Sequence, residues 1–189
     1  MFVSCVKDMH AYGYETEAEP CCYGCNGGDA DASYLWTMGA NSTSTPKNLV
    51  LENDWKYTMT NATCEYESKE QTGIQILDYY DIPSNKSSLM MEAAAQQPLA
   101  VNIDASTLHS YTGGIIDASF GCGLYLNHVV TLVGFGVNGN SKYWILKNSW
   151  TAGWGESGYF RLLNTDDDTA GICGVNWKAS YPTTKVVSN

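Results

Sequence analysis

Two short apolar runs that flank a turn sequence constrain the fold of this 189-residue chain more than any other feature. The first run is HVVTLVGFG and the second is YWILK. Between them stands NGN, and an Asn-Gly pair between apolar runs is typical of the tight turn of a β-hairpin. We therefore predict antiparallel strands at 128–136 and 143–147, joined by a turn at 138–140.

Short strands and one helix are also predicted in the rest of the C-terminal part. The sequence SSLMMEAAAQQP predicts a helix that is capped by Ser87 or Ser88 and ends ahead of Pro98. This part is thus expected to form an antiparallel sheet or barrel with one helix. Apolar runs bounded by turn residues predict its other strands at 74–82, 99–103 and 158–163.

The N-terminal part has a different character, with one clear helix and much irregular sequence. Asp29 is a suitable N-cap for a helix whose apolar residues share a face, and Gly39 is a suitable stop. Near Gly73, polar irregular sequence gives way to strand-like sequence. We therefore expect an α+β protein with a domain boundary near Gly73.

The composition argues against several classes of partner. Hydrophobic residues make up 44% of the chain and charged residues 16%, which is typical of a globular protein. The net charge of −10 argues against a nucleic-acid partner, because such proteins carry a basic surface. No apolar run is long enough to span a bilayer, and MFVSCVKDMH lacks the features of a signal peptide. We expect neither a nucleic-acid nor a membrane partner.

Cysteines and glycosylation sequons point to the secretory route. Three N-x-S/T sequons lie in polar sequence, and each predicts a glycan, at Asn41, Asn61 and Asn85. The cysteines are scattered over the chain, which favours disulfides over a zinc module. They number seven, so at least one thiol has no partner within the chain.

His128 stands where the first strand of the predicted hairpin begins. Antiparallel pairing across the turn places Asn148 near His128. The asparagine can accept the imidazole N–H, which fixes the tautomer and leaves the other ring nitrogen free as a base. Trp150 and Trp154 can cover this hydrogen bond and exclude water. The alternative is that His128 is a satisfied core histidine.

Several motifs, in order along almost the whole chain, resemble those of the papain-like cysteine proteases, the group of plant papain and cathepsin L. The histidine motif is LNHVVTLVGFG and the asparagine motif is YWILKNSWTAGWGESGYFRL. The resemblance implies a cysteine endopeptidase that hydrolyses peptide bonds by a Cys-His-Asn mechanism without a cofactor. Further matching segments are SC at 4–5, GCNGG at 24–28, QQPLAVNID at 96–104, YTGGII at 111–116 and GICGVNWKASYP at 171–182.

The resemblance assigns roles to individual residues. It makes His128 the catalytic base and Asn148 the residue that orients it. Trp150 matches the indole that shields their contact and lines the cleft. Gly27 and Gly28 match the backbone that binds an extended substrate as an added strand, although an ordinary turn is the alternative for these glycines.

The resemblance also implies a pocket for the substrate residue second from the scissile bond. Lys178 departs from the family there, because the position at the pocket floor is more often small or acidic. We expect the pocket to disfavour basic residues and to accept acidic ones; alternatively, Lys178 reaches solvent or pairs with Asp29. Thr151 departs as well, from the usual glycine after NSW. The pocket positions are Asp29, Ala30, Asn102, Leu126, Val129 and Lys178.

The family's disulfides imply that Cys5 pairs with Cys64 and that Cys122 pairs with Cys173. Cys25 matches a cysteine whose usual partner lies just before the nucleophile. That partner is absent from this sequence, so Cys25 is expected to lack its usual bond.

Two metal sites are weaker alternatives. Cys21 and Cys22 have no counterpart in the family, and together with Cys25 and His10 they could form a zinc site. The run DDD at 166–168 lacks the spaced oxygen ligands of a calcium loop and is expected to be a solvated loop. We expect no bound metal.

The family's nucleophile lies in a C-G-S-C-W type segment, and this sequence contains no such segment. We therefore expect the chain to be the C-terminal part of a papain-like two-domain fold and to be inactive by itself. Residues 1–73 would be a remnant of the helical left domain. Residues 74–189 would be an antiparallel β-barrel right domain, with a tail that returns to the left domain.

The full-length protein is expected to be a monomer that acts on peptides or proteins in the lysosome or outside the cell. It is also expected to bind cystatin-like protein inhibitors. One alternative is a non-catalytic pseudoprotease or peptide-binding relative that has lost the nucleophile. Another is an unrelated disulfide-rich glycoprotein.

Overall fold

The computed structural model describes residues 27–39, 45–58, 60 and 63–187. Two compact units divide the chain. The first comprises Met1–Tyr79 and Pro182–Asn189, and the second comprises Tyr80–Tyr181. The first unit therefore extends past Gly73, where the composition changes. No helix in the described ranges has both the length and the apolarity needed to cross a membrane.

Helix α1 (Ala30–Met38) begins and ends where the sequence predicts. The carboxylate of Asp29 accepts the N–H of Asp31 at 2.9 Å, which satisfies one of the free donors of the first turn. Gly39 takes a left-handed φ of 65°, and an added Cβ there would lie 2.7 Å from the backbone of Thr45. Only glycine fits at this stop.

A small apolar cluster anchors the first unit. Trp36 on α1 packs edge-to-face on Tyr66, with ring centroids 5.5 Å apart. The hydroxyl of Tyr66 donates to the carbonyl of Asn48 at 3.0 Å. Cys64, two residues before Tyr66, is disulfide-bonded, while its expected partner Cys5 lies outside the described residues.

Seven strands form one sheet, in the order β1-β7-β2-β4-β5-β6-β3. Helix α2 (Ser87–Ala94) lies between β1 and β2 in the chain. The mixture of helices and sheet confirms the α+β class. The strands are β1 (Ile74–Ile82), β2 (Leu99–Ile103), β3 (Ile115–Ile116), β4 (His128–Asn138), β5 (Ser141–Lys147), β6 (Tyr159–Leu163) and β7 (Ala179–Val186).

The sheet is open within the described ranges, which agrees with the expected antiparallel sheet of a truncated right domain. Strands β1 and β3 are its two edges, and no pairing joins them within the described ranges. The pairs β2–β4, β2–β7, β4–β5 and β5–β6 are antiparallel, but β3 runs parallel to β6. Strand β3 has only two residues, too few to give an apolar pattern in the sequence.

The predicted cap of α2 is wrong. The helix starts at Ser87 itself, its N-cap is Lys86, and no side chain caps it. The reason lies one residue earlier. Asn85 takes a left-handed φ of 62°, and its N–H donates to the carbonyl of Asn176 at 2.7 Å. The chain therefore enters the helix before Ser87 can serve as a cap.

The β4–β5 hairpin confirms the strongest expectation from the sequence. Asn138 pairs with Ser141, so only Gly139 and Asn140 form the loop. Gly139 has a φ of 60°, as tight hairpin turns require. Strands β2, β4, β5 and β6 bury alternate apolar side chains in one core, with Trp144, Leu146, Phe160 and Leu162 at 0% exposure.

A disulfide closes the loop that precedes β4. Cys122 and Cys173 are bonded, and 51 positions separate them in the sequence. Cys173 lies in a short 3₁₀ turn (Ile172–Gly174) ahead of β7. The bond thus ties the segment before His128 to the segment before β7.

Candidate active site

His128 and Asn148 meet at the ends of two neighbouring strands. His128 is the first residue of β4, and Asn148 directly follows β5. The Nε2 atom of His128 lies 2.9 Å from Oδ1 of Asn148. Asn148 is 4% exposed, and its backbone N–H donates to the carbonyl of Gly158 at 2.9 Å. The asparagine is therefore fixed by the backbone, while the imidazole is half-buried.

A second hydrogen bond to Asn148 determines the tautomer of His128. The backbone N–H of Ser149 donates to the same Oδ1 at 2.8 Å. A backbone N–H can only donate, so the accepting atom must be the amide oxygen. Because that oxygen also lies against Nε2, the imidazole must carry its proton on Nε2. Nδ1 then keeps a free lone pair, as a general base requires.

Indole rings cover the histidine on one side. The ring of Trp150 lies 5.2 Å from that of His128, centroid to centroid, at an interplanar angle of 33°. Trp154 packs edge-to-face on Trp150 at 5.1 Å, and Phe160 of the core packs on Trp154 at 5.6 Å. Trp150 is thus the ring that shields the imidazole, and Trp154 supports Trp150 from the core. A hydrogen bond that is shielded from water is stronger than an exposed one.

The turn after Trp150 carries a residue in an unfavourable conformation. Thr151 has a φ of 68°, in the left-handed region that favours glycine. For a β-branched residue this conformation is a genuine outlier. The position at which the sequence departs from the family's usual glycine is thus one where the backbone itself favours glycine.

Replacing Thr151 by glycine is expected to raise the free energy of unfolding by about 1 kcal/mol, because the left-handed strain is relieved. Thr151→Ala is the matched control. It removes the same hydroxyl and methyl but keeps the strain, so it should give no gain. Urea denaturation measures both variants. A glycine variant no more stable than the alanine variant would contradict this account of Thr151.

Two of the expected pocket residues lie on adjacent strands, and Lys178 directly precedes a third strand, β7. Asn102 on β2 pairs with Val129 on β4, and the N–H of Asn102 donates to the carbonyl of Lys178 at 2.9 Å. Leu126 lies against Gly174, where an added Cβ would come within 2.9 Å of its Cδ2 atom. The second unit therefore gathers these residues near the start of β4.

The remaining expected substrate-binding residues belong to the first unit. Gly27 and Gly28 are exposed and precede α1, and Gly27 has a φ of 122°. Asp29 is the N-cap of α1, and Ala30 is its first residue.

Of the other predicted sites, the structure describes only Asn85. Its side-chain oxygen is buried and has no hydrogen-bond partner within the described ranges. Ser87, the third residue of its sequon, is 3% exposed. Outside the described residues lie His10, Cys5, Cys21, Cys22, Cys25, Asn41 and Asn61.

The aspartate run at 166–168 forms a loop whose carboxylates bind local donors. Thr165 and Thr169 donate to Asp167 at 2.7 Å each. Asp166 and Asp168 form ion pairs with lysines. Within the described ranges, no group of three or more acidic, histidine or cysteine side chains could hold a metal ion.

Sequence reasoning missed one buried acid near the site. Asp104 directly follows β2, is 3% exposed, and accepts hydrogen bonds from two loops. An acidic residue at the end of an apolar strand is the signal that could have identified it. Its partners are set by tertiary structure, so the sequence alone does not name them.

Comparisons with known proteins agree on one family. A family model described as papain family cysteine protease matches residues 2–183. The cysteine protease XCP2 of Arabidopsis thaliana is 39% identical over 162 residues, and the senescence-specific cysteine protease SAG12 of the same plant is 37% identical over 164 residues. The solved structure of the bromelain protease from Ananas comosus in complex with the E64 inhibitor is similar at a TM-score of 0.75 and 34% identity.

Each of these matches covers 85% of this chain. The matched region covers 43% of XCP2, 45% of SAG12 and 72% of the bromelain chain. The chain thus spans less than half the length of the curated relatives that it matches.

Proposed function

Because the chain belongs to the papain family of cysteine proteases, we propose that it supplies the base and the orienting residue of a cysteine endopeptidase. His128 is the base, Asn148 orients it, and Trp150 shields their contact. One observation carries the proposal: Oδ1 of Asn148 lies 2.9 Å from Nε2 of His128 and also binds a backbone N–H. This arrangement leaves Nδ1 available to a thiol.

The chemistry that this pair serves is peptide hydrolysis. A cysteine thiol gives its proton to Nδ1 of His128, and the thiolate attacks the carbonyl carbon of the scissile bond. The imidazolium then protonates the leaving amine while the carboxyl fragment stays on sulfur as a thioester. Water, deprotonated by the imidazole, hydrolyses the thioester and regenerates the thiol. Asn148 keeps the ring in one orientation throughout.

The family's nucleophilic thiol lies in a C-G-S-C-W type segment, and this sequence contains no such segment. We therefore propose that the 189-residue chain does not hydrolyse peptides by itself. The test is turnover of a dipeptidyl fluorogenic substrate by the purified chain. No turnover is expected. Turnover that is blocked by a thiol-directed epoxide and that is lost in His128→Ala would refute the proposal.

The lysine that the family resemblance assigns to the floor of the substrate pocket, Lys178, is the basis of a specificity prediction. In an enzyme completed with the nucleophile segment, Lys178 should disfavour Arg and Lys at the substrate position second from the scissile bond and favour acidic residues. Lys178→Ala should raise the relative cleavage of Arg peptides about fivefold, as expected for one partly screened charge. A peptide library measures the profile. Strong preference for Arg with Lys178 present would contradict the prediction.

The cellular setting is part of the proposal. Disulfides and sequons support a secretory-route glycoprotein of the lysosome or the extracellular space, with protein substrates and cystatin-like inhibitors as partners. The sequon of Asn85 sets a condition on timing. Since Ser87 is buried in the folded chain, a glycan at Asn85 would have to be attached before folding.

A further inference from the structure

The segment at 123–127, which leads into His128, is held against the end of β2. The N–H of Asn127 donates to the carbonyl of Ile103 at 3.1 Å. The side-chain oxygen of Asn127 accepts the N–H of Ala105 at 2.9 Å. These contacts hold Asn127, the residue next to His128. The middle of the segment is held by a different group.

That group is the carboxylate of Asp104. Its Oδ1 accepts the N–H of Ser106 at 3.0 Å, and its Oδ2 accepts the N–H of Tyr125 at 3.1 Å. The backbone N–H of Asp104 donates to the carbonyl of Cys173 at 2.8 Å. One residue thus joins the end of β2, the segment before His128 and the disulfide-bonded turn before β7.

Asp104 achieves this without a cationic partner. No lysine, arginine or histidine in the described ranges forms an ion pair with it. A buried charge is costly unless hydrogen bonds replace its water. The hydroxyl of Ser106 and the backbone N–H groups around the carboxylate hold the pKa of Asp104 below its usual range, against the opposing effect of burial. The group is therefore an ionised acceptor at neutral pH.

The fit around the carboxylate is close. An added Cβ at Gly123 would lie 2.8 Å from Oδ2 of Asp104, nearer than real Cβ contacts allow. The backbone of the segment therefore passes directly over the carboxylate, and a side chain at position 123 would displace it.

We propose that Asp104 is a positioning residue for His128. Its carboxylate fixes the segment that enters β4, and this sets the direction in which the imidazole meets Asn148. This inference rests on the proposed function, because positioning His128 matters for catalysis only if His128 is the base. The contacts of Asp104 themselves do not depend on that role.

Nuclear magnetic resonance of the complete 189-residue chain with ¹⁵N-labelled histidine tests the proposal. His128→Ala assigns the ring signals. In Asp104→Asn, one carboxylate oxygen becomes an amide donor that faces a backbone N–H, so the hydrogen bond from that N–H is lost. We expect the Nε2 proton of His128 to exchange with solvent about tenfold faster, the factor for one lost hydrogen bond to a charged group. A mixture of ring tautomers should appear.

Asp117→Asn is the matched control. The carboxylate of Asp117 also accepts a backbone N–H two residues on, from Ser119 at 2.8 Å, but it is exposed and lies outside the segment before His128. The exchange rate of the His128 Nε2 proton should not change in this variant. Unchanged exchange and a single tautomer in Asp104→Asn would overturn the proposal.

Gly123→Ala keeps the proposal testable if Asp104→Asn does not fold. The added methyl group would displace Oδ2 of Asp104, so it should also speed the exchange of the His128 Nε2 proton with solvent. Unchanged exchange of the His128 Nε2 proton in a folded Gly123→Ala variant would overturn the proposal.

The outcome is separable from that of the proposed function. If Asp104→Asn frees the imidazole but an enzyme completed with a nucleophile is unaffected by His128→Ala, the positioning role stands and the catalytic role fails. If the imidazole is unmoved but His128→Ala abolishes turnover, the reverse holds.

Discussion

Joining a C-G-S-C-W type nucleophile segment to this chain is expected to produce a peptidase whose turnover falls at least about 10³-fold in His128→Ala. The reason is that the thiol then has no base to accept its proton and no acid to protonate the leaving amine. Asn148→Ala should lower kcat about 10²-fold, because the imidazole loses the acceptor that fixes its tautomer and direction. Hydrolysis of a fluorogenic dipeptide measures both variants.

His109→Ala is the matched control for this experiment. His109 is an exposed histidine in the short 3₁₀ turn Leu108–Ser110, and its ring is not part of the site. Its removal should leave kcat and KM unchanged. A chimera that stays active without His128, or that loses activity equally with either histidine replaced, would contradict the assignment of His128 as base.

Removing the Cys122–Cys173 disulfide is expected to lower the free energy of unfolding by about 4 kcal/mol. The bond closes a sequence separation of 51, and cross-linking a loop of that length removes much of the freedom of the unfolded chain. Urea denaturation of Cys122→Ala/Cys173→Ala, compared with the parent chain, measures the loss. This is a large share of the stability of an ordinary domain.

The single variant Cys122→Ala separates the cross-link from packing. It leaves the buried sulfur of Cys173 in place, so the two causes can be compared. If the cross-link dominates, the single variant should lose almost as much as the double variant. A single variant as stable as the parent would show that the bond does not constrain the unfolded chain.

Local signals in the sequence account for much of the fold. Helix α1 has a cap and a glycine stop that act within a few residues, and the β4–β5 hairpin has its own turn signal, so both are predictable. Strand β3 is not, because it exists through tertiary contacts. One such contact is made by the carboxylate of Glu156. It accepts the N–H of Gly114, just before β3, at 2.9 Å and the Nε–H of Arg161, in the neighbouring strand β6, at 2.8 Å.

The site divides in the same way. The approach of His128 to Asn148 follows from hairpin pairing, which the sequence reveals. The tautomer follows from the N–H of Ser149, and the direction of the segment before β4 follows from Asp104. Both depend on which atoms meet in three dimensions, so a pattern of residue types does not disclose them.

The short β4–β5 turn also bears on the order of folding. His128 and Asn148 are only 20 positions apart in the sequence, so their contact needs the closure of a single short loop. Hairpins of this kind form within about 1–10 μs, far sooner than contacts between distant parts of a chain. The histidine and its asparagine are therefore expected to meet early in folding.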